Sequence, residues 1–345
     1  MKVLVTGADG YIGCLLAPYL RGRGHDVTGL DTGYYRDGWL FNDTALVSQS
    51  PATLYKDIRE VQEADLRGFD AICHLAELSN DPLCQNSPEL TFEINHRGSV
   101  RLAELAKAAG VKRFVYTSSC SVYGVGDGAR PVNEASPTHP QTAYAECKLR
   151  VERDVAKLAD ESFSPTFLRN ATAYGASPRM RFDIVLNNLC GLAATTGRIV
   201  MTSDGSPWRP LVHVLDICEA VACTLEAPAS AIHNQVFNVG HDADNHHVRE
   251  IADIVAEVYP DCAVSFGAPN GDTRSYRVSF EKIHRQLPGF HCHWDARKGA
   301  QQLHDVFARI GLDAATFNAR PFTRLKRLQH LSETGQIGER FFWQR

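Results

Sequence analysis

The stretch KVLVTGADGYIG, residues 2–13, decides the fold of this chain. It opens with an apolar run, which is typical of a short strand buried on both faces. Gly7, Gly10 and Gly13 follow at three-residue spacing, and the residues after them have the apolar spacing of a helix. A strand, a glycine turn and a helix in this order predict the first unit of a parallel α/β sheet.

Further strand and helix patterns alternate along the first half of the chain. The predicted strands are DVTGLD (26–31), ATLYKDI (52–58), FDAICHLAE (69–77), RFVYTSSCSVYG (113–124) and PTFLRNATAYG (165–175). Long helices are predicted over residues 89–110 and 141–159. This alternation predicts right-handed βαβ units and therefore an α/β fold with a Rossmann-type, doubly wound parallel sheet.

The pattern becomes irregular after Gly175, and this change suggests two parts. We expect residues 1–175 to form a nucleotide-binding Rossmann domain and residues 176–345 to form a smaller, loop-rich substrate lobe. Segments at about 210–240 are expected to return to the main sheet. The basic stretch RPFTRLKRLQHL, residues 320–331, is expected to be a solvated or packing helix.

Composition excludes several classes of partner. The net charge of -4 gives no basic surface for nucleic acid or for an anionic membrane. The chain opens on a strand pattern, and no apolar run is long enough to span a bilayer. Ten cysteines without a Cys-x-x-Cys pair predict reduced thiols and a cytoplasmic protein. His291 and His293 flank Cys292, but these three residues without further metal-ligating partners are a weak indication of a metal site, so no metal is predicted.

The glycine turn predicts a nucleotide at the start of the first helix, because backbone N–H groups there can approach a pyrophosphate. Asp31 ends the second strand, 18 residues after Gly13. A carboxylate at this place accepts hydrogen bonds from ribose hydroxyls and repels a 2′-phosphate, so the predicted cofactor is NAD rather than NADP. Asp57 and Ile58 follow the third strand and are expected at the adenine, although Asp57 is alternatively a capping residue. The predicted contacts from the turn itself are Gly7, Gly10, Tyr11, Ile12 and Gly13.

Three polar residues are candidates for catalysis. Ser119 ends the fifth strand, and Tyr144 and Lys148 lie one turn apart on the following helix. An ammonium beside a phenol favours the phenolate, so Tyr144 can act as a general base at neutral pH. The alternative is that the tyrosine and lysine are ordinary surface residues of a helix.

Together TGADGYIG, Asp31, TSSCSVYG and YAECK resemble the extended short-chain dehydrogenase/reductase superfamily, and within it the NAD-dependent sugar epimerase/dehydratase family. The resemblance covers roughly residues 1 to 300. It implies that Ser119, Tyr144 and Lys148 are catalytic and that the last two also contact NAD. It further implies cofactor contacts at Leu75, Ala76 and Asn95, and substrate contacts at Ser119, Asn187, Asn188, Arg209 and Arg274.

The resemblance also bears on the reaction. Family 4,6-dehydratases carry an Asp-Glu pair after the catalytic Ser or Thr, where this chain has Cys120 and Ser121. Dehydration is therefore disfavoured. The leading prediction is a nucleotide-sugar epimerase acting on a nucleotide diphosphate sugar through a 4-keto intermediate. The alternatives are an NAD-dependent dehydrogenase of a nucleotide-activated hexose or heptose and, less favoured, a non-catalytic NAD-binding regulator. Family analogy also implies a homodimer.

Overall fold

The structure is a computed structural model in which most of the chain is described. The described residues are 1–43, 45, 48–79, 84–85, 87–126, 130–201, 203–268 and 274–344. The strands within them are β1 Lys2–Thr6, β2 Asp26–Asp31, β3 Thr53–Tyr55, β4 Ala71–His74, β5 Arg113–Ser119, β6 Ser164–Asn170, β7 Thr172–Tyr174, β8 Arg198–Val200, β9 Trp208–His213, β10 Gln235–Val239, β11 Asn245–His247 and β12 Ala263–Ser265.

Helices surround these strands. They are α1 Gly13–Gly22, α2 Glu63–Leu66, α3 Pro88–Thr91, α4 Ser99–Ala108, α5 Ala143–Ala156, α6 Val185–Thr196, α7 Val214–Glu226, α8 Ala229–Ile232, α9 Val248–Val258, α10 Glu281–Gln286, α11 Ala296–Ile310, α12 Ala314–Phe317 and α13 Arg324–Glu333. Short 3-10 turns occupy Ile58–Glu60, Cys120–Tyr123, Asp242–Asp244 and Arg320–Phe322, and Phe92–Gly98 is π-helical. None of the described helices is long and apolar enough to cross a membrane.

The main sheet has seven strands in the order β10-β6-β5-β4-β1-β2-β3, and every pairing in it is parallel. The strand order reverses between β1 and β4, so this is the topological switch point of the sheet. These two strands pair from Val3 with Ala71 to Thr6 with His74. In doubly wound sheets, ligands bind at the carboxyl ends of the strands at such a point. The predicted Rossmann-type fold is confirmed.

The long helix predicted over 89–110 is real but irregular. It runs as α3, the π-helical stretch Phe92–Gly98 and α4. The other predicted helix, 141–159, is α5, which begins where the Thr142 hydroxyl accepts a hydrogen bond from the N–H of Ala145, at 3.2 Å. This cap fixes the start of the helix one residue before Tyr144.

The second half of the chain contributes to more than one sheet. Strand β10 lies beside β6 in the main sheet, whereas β9 pairs with β7 and β11 in a separate three-stranded sheet. Of the region at about 210–240, one strand therefore returns to the main sheet and one does not. Strands β8 and β12 form a further pair.

The C-terminal segment, residues 320–344, packs on the first half of the chain. Arg327 Nε donates to the carbonyl of Tyr34 at 2.9 Å, and its guanidinium lies 3.1 Å from the Asp37 carboxylate. The indole N–H of Trp343 donates to the carbonyl of Thr32 at 2.7 Å. Of the two alternatives for the basic stretch, the packing helix is the one observed. The segment thus contacts the loop after β2 although it lies within the region assigned to the substrate lobe.

Candidate active site

A cavity of about 740 Å³ follows the carboxyl ends of the main-sheet strands. One end is bounded by the glycine turn and Asp31, and the middle by Tyr144 on α5. Its other end reaches Arg209 on β9, in the second half of the chain. Both halves of the chain therefore line the cavity, and it can offer one end to a nucleotide and the other end to a substrate.

The glycine turn is packed too closely for side chains at two of its glycines. A Cβ at Gly7, whose φ is +74°, would lie 2.9 Å from the backbone nitrogen of Ala76 at the end of β4. A Cβ at Gly13 would lie 2.0 Å from the carbonyl oxygen of Gly7. These contacts bring the start of α1 against the ends of β1 and β4. The turn, with Gly10, Tyr11 and Ile12 on the cavity wall, forms the cradle that a pyrophosphate requires.

Asp31 lies at the nucleotide end of the cavity and is 8% exposed. Its two carboxylate oxygens accept hydrogen bonds from the N–H of Asp9, at 2.9 Å, and of Gly33, at 2.8 Å. Burial raises the pKa of Asp31 to about 6, although the N–H of Gly33 opposes this shift. Each oxygen keeps a lone pair that a ribose hydroxyl can use.

Asp57 and Ile58 also line the nucleotide end. The Asp57 carboxylate accepts from the N–H of Arg59 at 2.8 Å and pairs with the Arg59 guanidinium at 2.7 Å. Its capping role is therefore present in the structure, while an adenine contact remains a proposal. Ile58 is buried and supplies an apolar surface beside that carboxylate.

The structure brings Tyr144 and Lys148 together as their spacing predicts. Both line the cavity, and the Lys148 ammonium lies 5.5 Å from the centroid of the Tyr144 ring. Lys148 is 3% exposed, and its Nζ donates to the carbonyl of Thr117 on β5 at 2.5 Å. A helix residue four positions after Tyr144 is thus held by the neighbouring strand, which keeps its charge beside the phenol.

Glu77 is a functional candidate that the motifs did not indicate. It follows the HLA segment after β4, lines the cavity and places Oε2 2.8 Å from Lys148 Nζ. The hydroxyl of Tyr116 donates to its other oxygen at 2.5 Å. Burial raises the pKa of Glu77, and Lys148 opposes that shift. An acid directly after the apolar run of β4 was the available signal in the sequence.

Consecutive serines at the end of β5 point in different directions, as strand geometry requires. The Ser118 hydroxyl donates to Glu152 at 2.5 Å, within a buried pair of Glu152 with Arg169 at 2.6 Å. The Ser119 hydroxyl accepts from the N–H of Ser121 at 3.1 Å and lies on the cavity wall. Ser118 also borders the cavity, but its hydroxyl is already donated to Glu152, so Ser119 is the better placed of the two to meet a substrate.

The two residues after Ser119 contribute no carboxylate to the cavity. Cys120 is 1% exposed, its thiol contacts the carbonyl of Arg169 at 3.1 Å, and burial raises its pKa well above the ordinary value. Ser121 lines the cavity, and its buried hydroxyl has no hydrogen-bond partner among the described residues. Cys120 is thus unsuited to proton transfer, and Ser121 offers a free hydroxyl to a ligand.

Two predicted contact residues lie behind the cavity wall rather than on it. The Asn95 side chain accepts from the N–H of Leu78 and donates to its carbonyl, both at 2.8 Å. The Asn187 side chain accepts from the N–H of Gly175 at 3.0 Å and donates to the Tyr11 hydroxyl at 3.2 Å. Both amides are fully buried, and their hydrogen bonds go to groups of the protein. The direct ligand contacts predicted for Asn95 and Asn187 are therefore corrected: both side chains support the cavity wall from behind.

The remaining predicted residues lie on the wall itself. Leu75 and Ala76 border the glycine turn, and their N–H groups each lie 3.2 Å from the Thr6 hydroxyl. Asn188 lines the cavity next to the buried Asn187. Arg209 and Arg274 line its far end, where the Arg209 guanidinium donates to the carbonyls of Trp208, at 2.8 Å, and Arg274. These placements leave direct substrate contact at Asn188, Arg209 and Arg274 as a proposal.

No cluster of three or more His, Cys, Asp or Glu side chains suited to a metal occurs in the described ranges. The features that bear on a cofactor instead suit a dinucleotide. In the glycine turn, a Cβ at Gly7 or Gly13 would fill the space that a pyrophosphate needs. The buried carboxylate of Asp31 lies beside the turn and can accept hydrogen bonds from a ribose. The residues present fit NAD.

Comparison with known proteins agrees with this geometry. The sequence profile of the NAD dependent epimerase/dehydratase family matches residues 3–240. The chain is 29% identical to UDP-glucose 4-epimerase of Corynebacterium glutamicum over 314 residues, 86% of this chain and 93% of that enzyme. It is 32% identical to UDP-glucose 4-epimerase of Mycolicibacterium smegmatis over 255 residues, 70% of this chain and 77% of that enzyme. The structure of MoeE5 in complex with UDP-glucuronic acid and NAD superimposes with a TM-score of 0.76 at 28% identity, over 90% of this chain and 99% of MoeE5.

The chain belongs to the NAD-dependent epimerase/dehydratase family. The predicted family, the prediction of an enzyme and the predicted cofactor NAD are confirmed. Both relatives are UDP-glucose 4-epimerases, and this activity agrees with the leading prediction.

Proposed function

We propose that the protein is an NAD-dependent nucleotide-sugar 4-epimerase and that its substrate is a UDP-hexose. The observation that carries this proposal is the meeting of Ser119, Tyr144 and Lys148 on one cavity wall, with a serine in place of a dehydratase carboxylate at position 121. The two relatives from Corynebacterium glutamicum and Mycolicibacterium smegmatis are UDP-glucose 4-epimerases, which supports the choice of UDP.

In the proposed reaction, Tyr144 accepts the proton of the sugar 4-hydroxyl while Ser119 holds the same oxygen by a hydrogen bond. Lys148 favours the tyrosinate because its charge lies beside the phenol. NAD, when bound, supplies the hydride acceptor and later the hydride donor. Tyr144 then returns the proton after the 4-keto sugar has presented its other face, and the product is the 4-epimer. General base catalysis of this type contributes about 10²–10⁴-fold.

NAD and the sugar nucleotide would be held by different parts of the cavity wall. We place NAD on the glycine turn, Asp31, Ile58, Leu75, Ala76 and Lys148, which all line its nucleotide end or middle. The diphosphate of the substrate is assigned to Arg209 and Arg274 at the far end, because arginine matches phosphate geometry. Under this assignment, residues 1–175 bind the cofactor and residues from 176 onward form the substrate lobe. Strand β10 and the C-terminal segment are exceptions, because both pack on the cofactor-binding part.

The test is direct assay of the purified protein with UDP-glucose and UDP-galactose, followed by proton NMR of the sugar nucleotide. Interconversion without net NADH formation is the expected result. Stoichiometric NADH formation with an oxidised sugar would instead support the alternative, a dehydrogenase of a nucleotide-activated hexose or heptose. Absence of both reactions with a panel of UDP, dTDP and GDP sugars would contradict the proposal.

We further propose that the protein is a cytoplasmic homodimer. Its ten cysteines are all free thiols in the structure, in keeping with a reducing compartment. The stretch Phe92–Gly98 and α5 lie side by side, linked by the His96 ring and the Asp154 carboxylate at 2.8 Å, and this helical face is the proposed dimer surface. Light scattering coupled to gel filtration tests the stoichiometry, and a monomer at micromolar concentration would contradict it.

A further inference from the structure

Arg324, the first residue of α13, is a buried cation at the edge of the cavity. It is 3% exposed and lines the cavity together with Asp31 and the glycine turn. Its guanidinium lies 3.9 Å from the centroid of the Tyr35 ring. Arg324 lies outside the region matched by the family profile, which ends at residue 240.

No carboxylate of the described residues lies within ion-pair distance of the Arg324 guanidinium, although the charges of Asp183 and Asp31 act on it from farther away. Among the described residues, its guanidinium forms no ion pair and donates no hydrogen bond, and Tyr35 is its ring contact. Arg327, one turn later, shows the contrast, because it donates to the Tyr34 carbonyl and pairs with Asp37. Burying an unpaired charge is costly, and buried arginines in native proteins are paired. The part of the chain that the structure describes therefore leaves this charge available for an anionic ligand.

The surroundings of Arg324 indicate the chemistry of that partner. Burial lowers the pKa of Arg324 and is the largest influence on it. The neighbouring groups that act on it are the side chains of Tyr35, Arg181, Asp183 and Cys14. Cys14 follows Gly13 in the first turn of α1, so Arg324 faces the helix end that carries the partial positive charge. A second arginine, Arg181, also lines the cavity and is paired with Asp183 at 2.9 Å. Arg324 and the N-terminus of α1 therefore place positive charge beside the glycine turn, where Arg181 is already neutralised by Asp183 and the Asp31 carboxylate is the nearby acid.

We propose that Arg324 binds the pyrophosphate of NAD from the side opposite the glycine turn. The C-terminal segment is then part of the cofactor site and not only a packing element. Its attachment to the loop after β2, through Arg327 and Trp343, holds Arg324 at this position. The proposal goes beyond the proposed epimerase function, since it depends on NAD as the cofactor and not on the identity of the sugar.

Arg324→Met tests the proposal, because methionine keeps an apolar stem over Tyr35 and removes the charge. Lys326→Met is the matched control, since Lys326 is exposed on the same helix. Protein freed of nucleotide is titrated by calorimetry with NAD, ADP-ribose, ADP and adenosine. We expect Arg324→Met to weaken NAD, ADP-ribose and ADP by about 10-fold or more, with adenosine unchanged. Lys326→Met should bind all four as the wild type does.

Thermal unfolding separates this role from a structural one. Removal of an unpaired buried charge should raise the melting temperature of the nucleotide-free protein and reduce the further rise that saturating NAD produces. A lower melting temperature without nucleotide would show that Arg324 stabilises the fold instead. Equal affinity of Arg324→Met and the wild type for ADP-ribose would overturn the proposal, and so would an equal loss for adenosine. Arg324→Lys provides a second variant, with an expected ADP-ribose affinity between the other two.

Discussion

Lys148 and Glu77 form a buried ion pair, with Nζ 2.8 Å from Oε2 and side chains that are 4% and 1% exposed. A carboxylate therefore lies directly behind the ammonium that faces Tyr144. The groups around the pair are the Tyr116 hydroxyl, which donates to Glu77, and the thiol of Cys147 on α5. His74 on β4 has a pKa lowered by burial and by Lys148, so it adds no charge at neutral pH.

Further polar groups lie close to these. The Ser99 hydroxyl lies 2.7 Å from the His74 ring, and Glu152 on α5 influences Tyr116 while it is neutralised by Arg169. None of these groups replaces Glu77 as the anion beside Lys148. The net charge of the ionised pair is therefore smaller than that of Lys148 alone. Glu77 in this way reduces the effect of the Lys148 ammonium on the phenol of Tyr144.

The first prediction follows from this pair. Glu77→Gln removes the negative charge and keeps the size of the side chain, so the uncompensated ammonium should give Tyr144 a lower pKa than it has in the wild type. The acidic limb of the pH profile of kcat/KM should move to lower pH. Glu146→Gln is the control, because it removes a charge from a less buried position on α5, the helix that carries Tyr144 and Lys148. A fall in activity with an unmoved acidic limb would show that Glu77 acts only by packing.

The second prediction concerns Asp31. The pKa of Asp31 is raised to about 6 by burial, and ribose hydroxyls that donate to its carboxylate favour the ionised form. NAD binding should therefore release protons near pH 6, and NAD affinity should fall as the pH drops through about 6. Asp31→Asn should flatten this dependence and narrow the preference for NAD over NADP.

Calorimetry in two buffers of different ionisation enthalpy measures the proton release at each pH. The wild type at pH 8 is the internal control, because Asp31 is ionised there with or without NAD. A pH-independent NAD affinity, or equal affinities of the wild type for NAD and NADP, would contradict the assignment of Asp31 to the ribose.

The third prediction uses two adjacent asparagines on α6. Asn187 is fully buried and bonds to Gly175 and Tyr11, whereas Asn188 lines the cavity. Asn187→Ala leaves buried groups unsatisfied and should lower the free energy of unfolding by about 1–3 kcal/mol. Asn188→Ala should leave stability nearly unchanged and raise the KM for the sugar nucleotide. Urea denaturation and steady-state kinetics of both variants provide the comparison, and the reverse pattern would exchange the two roles.

Predictability from sequence differs between local and distant contacts in this protein. The turn between β1 and α1 was predictable because its glycines, strand and helix are consecutive in the chain. Tyr144 and Lys148 were predictable for the same reason, since helical spacing alone places them on one face. Asp31 followed from its distance to the turn and the end of a strand.

Contacts between residues far apart in the chain were not predictable in this way. Asn95 and Asn187 were expected on the cavity wall, but each points to backbone groups that only the folded chain brings near. Arg324 reaches the cofactor end of the cavity from residues that a basic helical pattern describes equally well as solvated. Glu77 meets Lys148 across the space between β4 and α5. Tertiary packing, which no local periodicity records, determined all four.

The last prediction concerns the general base. Tyr144→Phe removes the hydroxyl and keeps the ring, so the fold and NAD affinity should be retained while turnover falls by at least about 10²-fold. Tyr116→Phe is the matched control, because Tyr116 is also close to Lys148, whose Nζ lies 4.6 Å from its ring centroid, but it is buried and does not line the cavity. Its turnover should stay within about 10-fold of the wild type. Stopped-flow absorbance of NADH formed on the protein measures the first half-reaction separately from product release. Reduction at the wild-type rate by Tyr144→Phe would show that another group accepts the proton. Ser121 would be the next residue to substitute, because its hydroxyl lines the cavity and bonds to none of the described residues.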